Sequence, residues 1–392
     1  MRRHGIGAAT VAALSCLLLA GCSATVAGTP VADTSLPTHL DTGSFSTSKR
    51  VISAPSSTEA QVLESRRMLA TVPVVGDIDP TMRYGDGVSM LVVDGLSDAF
   101  GSGVAAALHA MQFGAEADFT DKAPDATGFG KGFGIAIVRM PTAAAAAQAV
   151  AAPSVAAADG PSDGEASPAK IPVAIPGVAG AKAFSKTYAA GVGTTIVALL
   201  AHARFVIVVA AQSSADKVAA ALTQEDRALD SFTATPDDKL TSLPPDSDGI
   251  RARTLANQNP IDKDPTRYGW TTARGILADQ TEPAVARKDF ADTGVDLVGL
   301  GENTVYRAKD GVAARELADR FIAEMKGYYP GGTTDSVDEV PGSECYNSKD
   351  QLGDFGYCVV PVGRYLAEYS AVQTEMAKEA TAAAYLTLRR AQ

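Results

Sequence analysis

The stretch Ile135-Ala136-Ile137-Val138-Arg139 is dense in β-branched and apolar residues and predicts a buried strand within residues 132–140. An alanine-rich run follows at 143–151 and predicts a helix, with Thr142 as its N-cap. The same order occurs later in the chain, where the run 303–307 precedes the helical pattern 311–323. This pair of a strand and a helix therefore marks a unit that occurs twice.

Four further pairs of segments occur in the same order in both halves of the chain. They are Asp79-Pro80-Thr81-Met82-Arg83-Tyr84-Gly85 with Asp264-Pro265-Thr266-Arg267-Tyr268-Gly269, Ile175-Pro176-Gly177 with Val340-Pro341-Gly342, Arg204-Phe205-Val206 with Arg364-Tyr365-Leu366, and the helical runs 215–229 with 375–388. The shared unit reads β-α-β-β-β-α. The prediction is an α+β fold of two similar units, with antiparallel or mixed sheets and helices on one face. The two units could form two domains or pair edge to edge into one larger sheet.

The length of the chain favours two domains. Of 392 residues, 371 remain after the first 21, which is more than one core usually carries. We expect an N-terminal domain at 39–235 and a C-terminal domain at 251–392. The stretch 236–250, which contains Pro244-Pro245 and several Asp, is predicted to link them. Within the first domain we also expect a helix at 103–113 and a mobile surface loop at 153–170.

The N-terminus has the layout of an export signal. Arg2 and Arg3 precede an apolar segment, and the run Leu19-Ala20-Gly21-Cys22 follows it. That run resembles the lipobox of bacterial lipoproteins. The resemblance implies a signal peptide at 1–21 and lipid, such as palmitate, on Cys22; an ordinary signal and a transmembrane anchor are the alternatives. Residues 22–38 are predicted to be a flexible tether.

The charge of the chain limits its partners. Loss of the signal leaves 32 basic against 45 acidic residues, a formal charge of −13. An acidic surface argues against nucleic acid and against charge-driven binding to an anionic bilayer, so the lipid must hold the protein at the membrane. The apolar run 194–211 contains His202 and Arg204 and is interpreted as two strands rather than a membrane span.

Two of the four cysteines predict a disulfide. Cys16 leaves with the signal and Cys22 takes the lipid, so Cys345 and Cys358 remain as a pair in an exported chain. They fall on successive predicted strands, and a bond closing so short a loop stabilises the fold by roughly 3 kcal/mol in the chain-entropy model. The matching positions of the first unit are near Gly180 and Ala198, so only the second unit would be cross-linked. Two free thiols are the alternative.

Motifs for catalysis are missing from the sequence. Only His39, His109 and His202 follow the signal, and there is no H-E-x-x-H, paired Cys spacing or G-x-S-x-G. The glycine-rich run 128–134 precedes a predicted strand instead of joining a strand to a helix, so it is interpreted as a turn. We therefore assign no catalytic residue, no metal ligand and no cofactor, and we expect the protein not to be an enzyme.

Some polar residues recur in both halves. Asp79 matches Asp264 and Tyr84 matches Tyr268 in the repeated loop. An Asp before Pro commonly opens a turn, although these loops could instead line a shared ligand cleft. Arg204 and Arg364 are interpreted as charges at the rim of the sheets.

The chain resembles an uncharacterised family of actinobacterial lipoproteins, of the kind found in mycobacteria. The resemblance rests on the lipobox, the phrase Pro37-Thr38-His39-Leu40-Asp41-Thr42-Gly43, the two Asp-Pro loops and the late cysteine pair. It implies N- and C-terminal domains of unknown function, export and anchoring at the extracytoplasmic face of the cell membrane. It supplies no catalytic residue.

The function favoured by these features is that of a non-enzymatic envelope lipoprotein that binds an unknown ligand or protein partner. An envelope hydrolase with an unrecognised active site and a structural or assembly factor of the envelope are the alternatives. We expect any ligand to lie between the two halves, in a cleft that binds through its shape and an apolar lining.

Overall fold

The computed structural model describes residues 36–37, 39–48, 50–91, 100–124, 126–128, 130–161, 167–188, 193–257, 265–350 and 353–391. The predicted signal peptide, Cys22 and nearly all of the predicted tether lie outside these residues. The described residues from 37 to 391 form one compact unit. No helix in the described part of the chain is long and apolar enough to cross a bilayer.

The elements divide into two sets. The first half contains α1 (Ser57–Leu69), β1 (Tyr84–Leu91), α2 (Ser102–Ala107), β2 (Phe113–Thr120), β3 (Gly132–Arg139), α3 (Ala143–Ala151), α4 (Pro153–Ala156), β4 (Ile171–Pro172), β5 (Lys182–Tyr188), β6 (Gly193–His202), β7 (Phe205–Ala211) and α5 (Ala215–Ser231). The second half contains β8 (Gly269–Thr272), α6 (Pro283–Thr293), β9 (Leu297–Leu300), β10 (Thr304–Arg307), α7 (Gly311–Tyr328), β11 (Thr333–Asp335), β12 (Glu344–Asp350), β13 (Gly353–Val362), β14 (Tyr365–Ala371) and α8 (Thr374–Arg390).

The described strands form two seven-stranded antiparallel sheets with the same strand order. The first is β1-β2-β3-β7-β6-β5-β4, and the second is β8-β9-β10-β14-β13-β12-β11. The predicted α+β class and the two similar units are confirmed. The repeat is longer than the sequence suggested, because β1-α2-β2 in the first half corresponds to β8-α6-β9 in the second.

Helices cover both faces of each sheet, in place of the single helical face that was expected. In β3, Ile135 and Ile137 pack with α5, whereas Ala136 and Val138 pack with α3. In the second half α7 covers one face, and α8 packs against Cys345 and Cys358 on the other. The physical reason is that the central strands are apolar at successive positions, so neither face can be left in water.

Two local predictions for the first half need correction. The helix expected at 103–113 ends at Ala107, and the missed strand β2 begins at Phe113. Every second residue of β2 faces one core, namely Phe113, Ala115, Ala117 and Phe119. This is the period of a strand, but the small alanines make the pattern hard to recognise in the sequence.

The segment 153–170 is not simply a surface loop. It contains α4, and beyond it the Asp159 side chain is almost completely buried. Asp159 pairs with Lys170 at 2.9 Å and Lys186 at 3.4 Å, and accepts a hydrogen bond from the Gly103 N–H. Burial of the Asp159 carboxylate with its partners fixes the described residues around it against β5 and α2.

The disulfide predicted between Cys345 and Cys358 is confirmed. The two residues lie directly opposite each other on β12 and β13, with their Cα atoms 4.0 Å apart. In the first sheet the pair at the corresponding position is Ala183 with Ala198, so Ala183 replaces Gly180 as the match to Cys345. Only the second sheet has this covalent link.

Arg204 and Arg364, which the sequence suggested as charges at the rim of the sheets, each bind a backbone carbonyl. The Nε atom of Arg204 donates to the carbonyl of Met140 at 3.0 Å, and that of Arg364 donates to Ala308 at 2.8 Å. Met140 directly follows β3, and Ala308 directly follows β10. Each arginine therefore binds the backbone just beyond the end of a central strand, at the same place in both halves.

A second pair of matched arginines holds the segment between the halves. Arg139 is fully buried; it donates to the Thr235 carbonyl at 2.7 Å and pairs with Glu64 and Asp237. Arg307, at the corresponding end of β10, pairs with Asp296 and Asp248 at 2.7 and 2.9 Å. Both ends of the predicted linker 236–250 are thus fixed by ion pairs.

We expect Arg139→Ala to lower the free energy of unfolding by about 3 kcal/mol, because Glu64 would keep Arg67 but lose its fully buried partner, and the Thr235 carbonyl would lose its donor. Arg307→Ala is the matched control: its acidic partners are exposed, and the expected loss is at most about 1 kcal/mol. Urea denaturation of both variants measures the two values. Equal losses would contradict the assignment of Arg139 as the buried anchor.

Candidate functional site

A polar network lies on one face of the second sheet. Glu368 accepts hydrogen bonds from the hydroxyls of Tyr306, at 2.6 Å, and Tyr357, at 2.5 Å. The register explains the grouping, since Thr304 on β10 and Val359 on β13 lie directly opposite Glu368. Each tyrosine is two residues from one of these positions, so both project from the same face as Glu368. The sheet itself brings one carboxylate and two phenols together.

The first half lacks this network at the same positions. The registers of the two sheets match Tyr306 with Val138, Tyr357 with Val197 and Glu368 with Val208. All three valines belong to a closely packed core under α2 and α3. The fold therefore does not require polar groups at these positions.

A cavity of about 620 Å³ opens in front of the network. Helix α7 forms one wall with Phe321, Glu324, Met325 and Tyr328, at the i, i+3, i+4, i+7 spacing of one helix face. The carboxylates in the described lining are Asp279, Glu302, Glu324 and Glu368, and the rings are Phe321, Tyr328, Tyr329, Phe355, Tyr357 and Tyr369. Arg267 is the basic residue among these described lining residues.

The first half closes one side of this cavity. The Gly85 N–H donates to the carbonyl of Thr281, which lines the cavity, at 2.9 Å. A side chain at residue 85 would collide with the Gln280 carbonyl, since a Cβ there would lie 2.4 Å from that oxygen. Arg83 pairs with Glu282, which in turn accepts a hydrogen bond from the Tyr328 hydroxyl at 3.1 Å. Contacts between the halves thus position the cavity wall.

The site differs from the expected cleft in position and in chemistry. Among the described lining residues, Pro124 comes from the first half and the others come from the second. The lining combines acidic and aromatic groups, whereas an apolar lining was expected. The difference arises because the two halves pack closely through β1 and the segment after β8, so the cavity in front of the network is lined almost entirely by the second half.

Loss of water around the carboxylates favours their neutral forms. Desolvation raises the pKa of Glu368, and the hydrogen bonds from Tyr306 and Tyr357 oppose this rise only in part. Desolvation, followed by the nearby charge of Asp289, raises the pKa of Glu324. Asp279 is open to the cavity but otherwise surrounded by protein, and desolvation raises its pKa to about 6 against the opposing charge of Arg66.

Most residues singled out in the sequence lie away from this cavity. His39 and His109 are exposed, and the Nδ1 atom of His202 lies 2.9 Å from Asp226. Asp79 bonds Thr81, Ser213 and Lys217, which confirms its role in a turn. Asp264 lies outside the described residues.

One of the recurring residues does lie beside the cavity. The Tyr268 hydroxyl donates to Glu302 in the lining at 3.3 Å. The sequence had suggested such loops as an alternative lining of a ligand cleft, and here the contact reaches the cavity through a neighbouring carboxylate.

The described residues contain no group of three or more His, Cys, Asp or Glu side chains that could hold a metal ion. The acidic groups are distributed over walls that also hold aromatic rings. The site can therefore offer negative charge, hydrogen-bond acceptors and ring faces to a small molecule.

Residues 51–245 match the N-terminal part, and residues 250–391 the C-terminal part, of a domain of unknown function, DUF7373. The chain belongs to this family. The two domains of unknown function that the sequence implied are thereby confirmed. No curated protein and no solved structure matches the chain. Membership in this family assigns no activity, so the site must be interpreted from its own chemistry.

The sequence alone did not single out Tyr306, Tyr357 and Glu368. A usable signal was present in the aligned halves, because Glu368 follows Arg364 by the same four residues that separate Val208 from Arg204. A charged residue at a position where the other copy has valine marks a departure from the structural pattern.

We expect Glu324→Gln to reduce the pH dependence of stability between about pH 5 and 9. A carboxyl whose pKa is raised by folding holds its proton longer in the folded state, so the free energy of unfolding falls as pH rises from the unfolded pKa to the folded one. Removing one such group flattens this decline by up to about 1.4 kcal/mol per pH unit. Urea denaturation at several pH values measures it.

The matched control is Glu316→Gln on the same helix, because the Glu316 side chain is half exposed and pairs with Arg320 outside the cavity. This variant should keep the wild-type slope. If Glu324→Gln also keeps it, the carboxyl of Glu324 does not retain its proton on folding.

Proposed function

We propose that this protein is a lipid-anchored, non-enzymatic protein of the cell envelope that binds a small ligand in the cavity of its second half. The single observation that carries the binding role is the cavity itself, with its acidic and aromatic lining. A volume of about 620 Å³ is in the range of small-molecule sites in proteins. The first half supports the site and has no comparable polar network at the corresponding positions.

The anchor is inferred from the sequence. Leu19-Ala20-Gly21-Cys22 follows a basic and apolar leader, and the confirmed disulfide is consistent with an oxidising compartment outside the cytoplasm. Acylation of Cys22 would hold the domains at the extracytoplasmic face of the membrane. The lipid and the cavity would then have separate roles, one in location and one in binding.

Hydrolysis of an envelope substrate is the second candidate. A carboxyl with a pKa of about 6, as at Asp279, suits a general acid near neutral pH. Against this role, Glu368 is held by two tyrosine hydroxyls. Binding without turnover is therefore the function that the arrangement supports best.

We expect Cys22→Ala to move the protein from the membrane fraction to a soluble or unprocessed form, because the acylated sulfur would be lost. Fractionation and mass measurement of the N-terminal peptide report the result. Cys345→Ala is the control, since it breaks the disulfide but leaves the lipobox intact. Unchanged acylation and membrane association in Cys22→Ala would exclude this anchor.

We expect the full-length protein, isolated in mild detergent from its producing cells, to carry a small molecule at a ratio of about one to one. Ser370→Trp should lose this molecule, because residue 370 is an exposed strand position that lines the cavity. Thr187→Trp, at an exposed position of β5 in the first sheet, should retain it. Native mass spectrometry makes the comparison, and equal occupancy in both variants would place the ligand elsewhere.

A further inference from the structure

We propose that the ligand of this cavity is an organic cation, with an ammonium group held between carboxylates and aromatic rings. This inference rests on the proposed binding function and adds the chemical class of the ligand. It follows from three features of the cavity, namely its excess of acidic residues, its ring faces and its divergence from the first half.

Acidic residues outnumber basic residues in the described lining. Asp279, Glu302, Glu324 and Glu368 contribute carboxyl groups, against the guanidinium of Arg267. The nearby Glu282 already has a cationic partner in Arg83. A positively charged ligand would stabilise the ionised forms of these carboxyl groups, which desolvation disfavours.

Glu324 gives the most specific indication that a ligand binds here. Its Oε1 atom is enclosed by protein and has no hydrogen-bond partner in the described part of the structure. An enclosed acceptor without a donor is costly in a folded protein, by about 1–3 kcal/mol. Glu324 also lines the cavity, so an ammonium group bound there would lie beside this carboxyl and offset the loss of hydration that raises its pKa.

Aromatic faces distinguish this cavity from a simple acidic patch. Tyr328, on the helix wall, lies one turn beyond Glu324, and Tyr329 and Phe355 pack edge to face with ring centroids 4.8 Å apart. Ammonium groups bind over aromatic faces, with a contribution that grows when water is excluded. A combination of rings and carboxylates therefore suits an alkylammonium group.

An inorganic cation fits the same groups less well. Calcium takes six to eight oxygen ligands at short distance, and no cluster of three or more candidate ligands occurs among the described side chains. Both carboxylate oxygens of Glu368 also accept bonds from tyrosine hydroxyls. The carboxyl groups are arranged around a volume that a compact ion would leave largely empty.

The duplication provides an internal reference for this inference. Val138, Val197 and Val208 fill the corresponding face of the first sheet, and that sheet folds with the same strand order. The carboxylate and the two phenols of the second sheet are therefore additions to a fold that does not need them. These groups satisfy one another through the two hydrogen bonds to Glu368, but the fold has no need of them, which favours a binding role beside the cavity.

The test uses the full-length protein in detergent and four defined probes: choline, hexane-1,6-diamine, 3,3-dimethyl-1-butanol and calcium chloride. The butanol is the neutral carbon isostere of choline, so the comparison isolates the positive charge. We expect at least one organic cation to bind at least tenfold more tightly than the neutral isostere and calcium, as measured by isothermal titration calorimetry.

Variants then locate the binding. Glu324→Gln and Glu368→Gln should each lower the affinity for the organic cation at least tenfold, and Tyr328→Leu should lower it several-fold. Glu225→Gln is the control: Glu225 is a buried carboxyl of α5 that bonds Thr71 at 2.6 Å, far along the chain from the cavity lining. It should leave the affinity unchanged.

Three outcomes would overturn the inference: equal binding of choline and its neutral isostere with no binding of the diamine, tighter binding of calcium than of both amines, or equal weakening in Glu225→Gln and Glu324→Gln. A co-purified molecule that is lost in Ser370→Trp, together with failure of both amines, would leave the proposed binding function in place and reject only the cationic class. A variant that fails to fold is recognised by its denaturation curve, and the probe comparison on the wild-type protein still decides.

Discussion

The buried ion pair between Arg139 and Glu64 is the interaction on which the arrangement of the first half depends. It connects the end of the central strand β3 to α1, and Glu64 also accepts hydrogen bonds from the backbone and hydroxyl of Thr235 at 2.7 and 2.9 Å. Both side chains are completely removed from solvent. A buried charge pair adds stability only when its remaining bonding capacity is met, and Thr235, Asp237 and Arg67 meet much of it.

This network also determines where the second half begins. Asp237 reaches both Arg139 and Arg204, and Asp248 reaches Arg307, so the segment between the sheets is tied to matched arginines at its two ends. The α1 helix extends the connection, because Arg66 donates to the Thr266 carbonyl near the start of the second half. The cavity wall is then completed by Arg83 and Gly85 of the first half. A network deep in one half thus helps to define a site in the other.

Much of the fold could be predicted from the sequence, because duplicated patterns reinforce each other. The strand at 132–140, the helix capped by Thr142 and the hairpin before α5 all follow from local periods and turn residues. Strand β2 could not be recognised, since Gly114, Ala115 and Ala117 weaken its strand pattern. The coverage of both sheet faces depends on packing between distant segments, which local periods do not contain.

The site was less predictable than the fold. Tyr306 and Tyr357 look like ordinary core aromatics in the sequence, and Glu368 resembles a surface residue on an amphipathic strand. Their association depends on the order β13-β14-β10, which brings Tyr306 together with Glu368, 62 residues further along the chain. The cysteine pair was predictable because it needs only two adjacent strands of one hairpin.

The disulfide has a further consequence through the alternation of side chains on β12 and β13. Cys345 and Cys358 project toward α8, whereas their neighbours Tyr346 and Tyr357 project toward α7 and the cavity. Residues that line a cavity have fewer neighbours than residues of a closed core, so they lose part of the dispersion attraction that packing provides. The sulfur–sulfur bond links β12 to β13 on the sheet face that packs against α8. It therefore restrains the sheet without occupying space on the opposite face, where the cavity lies. A covalent bond between β12 and β13 can thus maintain the strand register beside a cavity, where close packing of side chains is not available to do so.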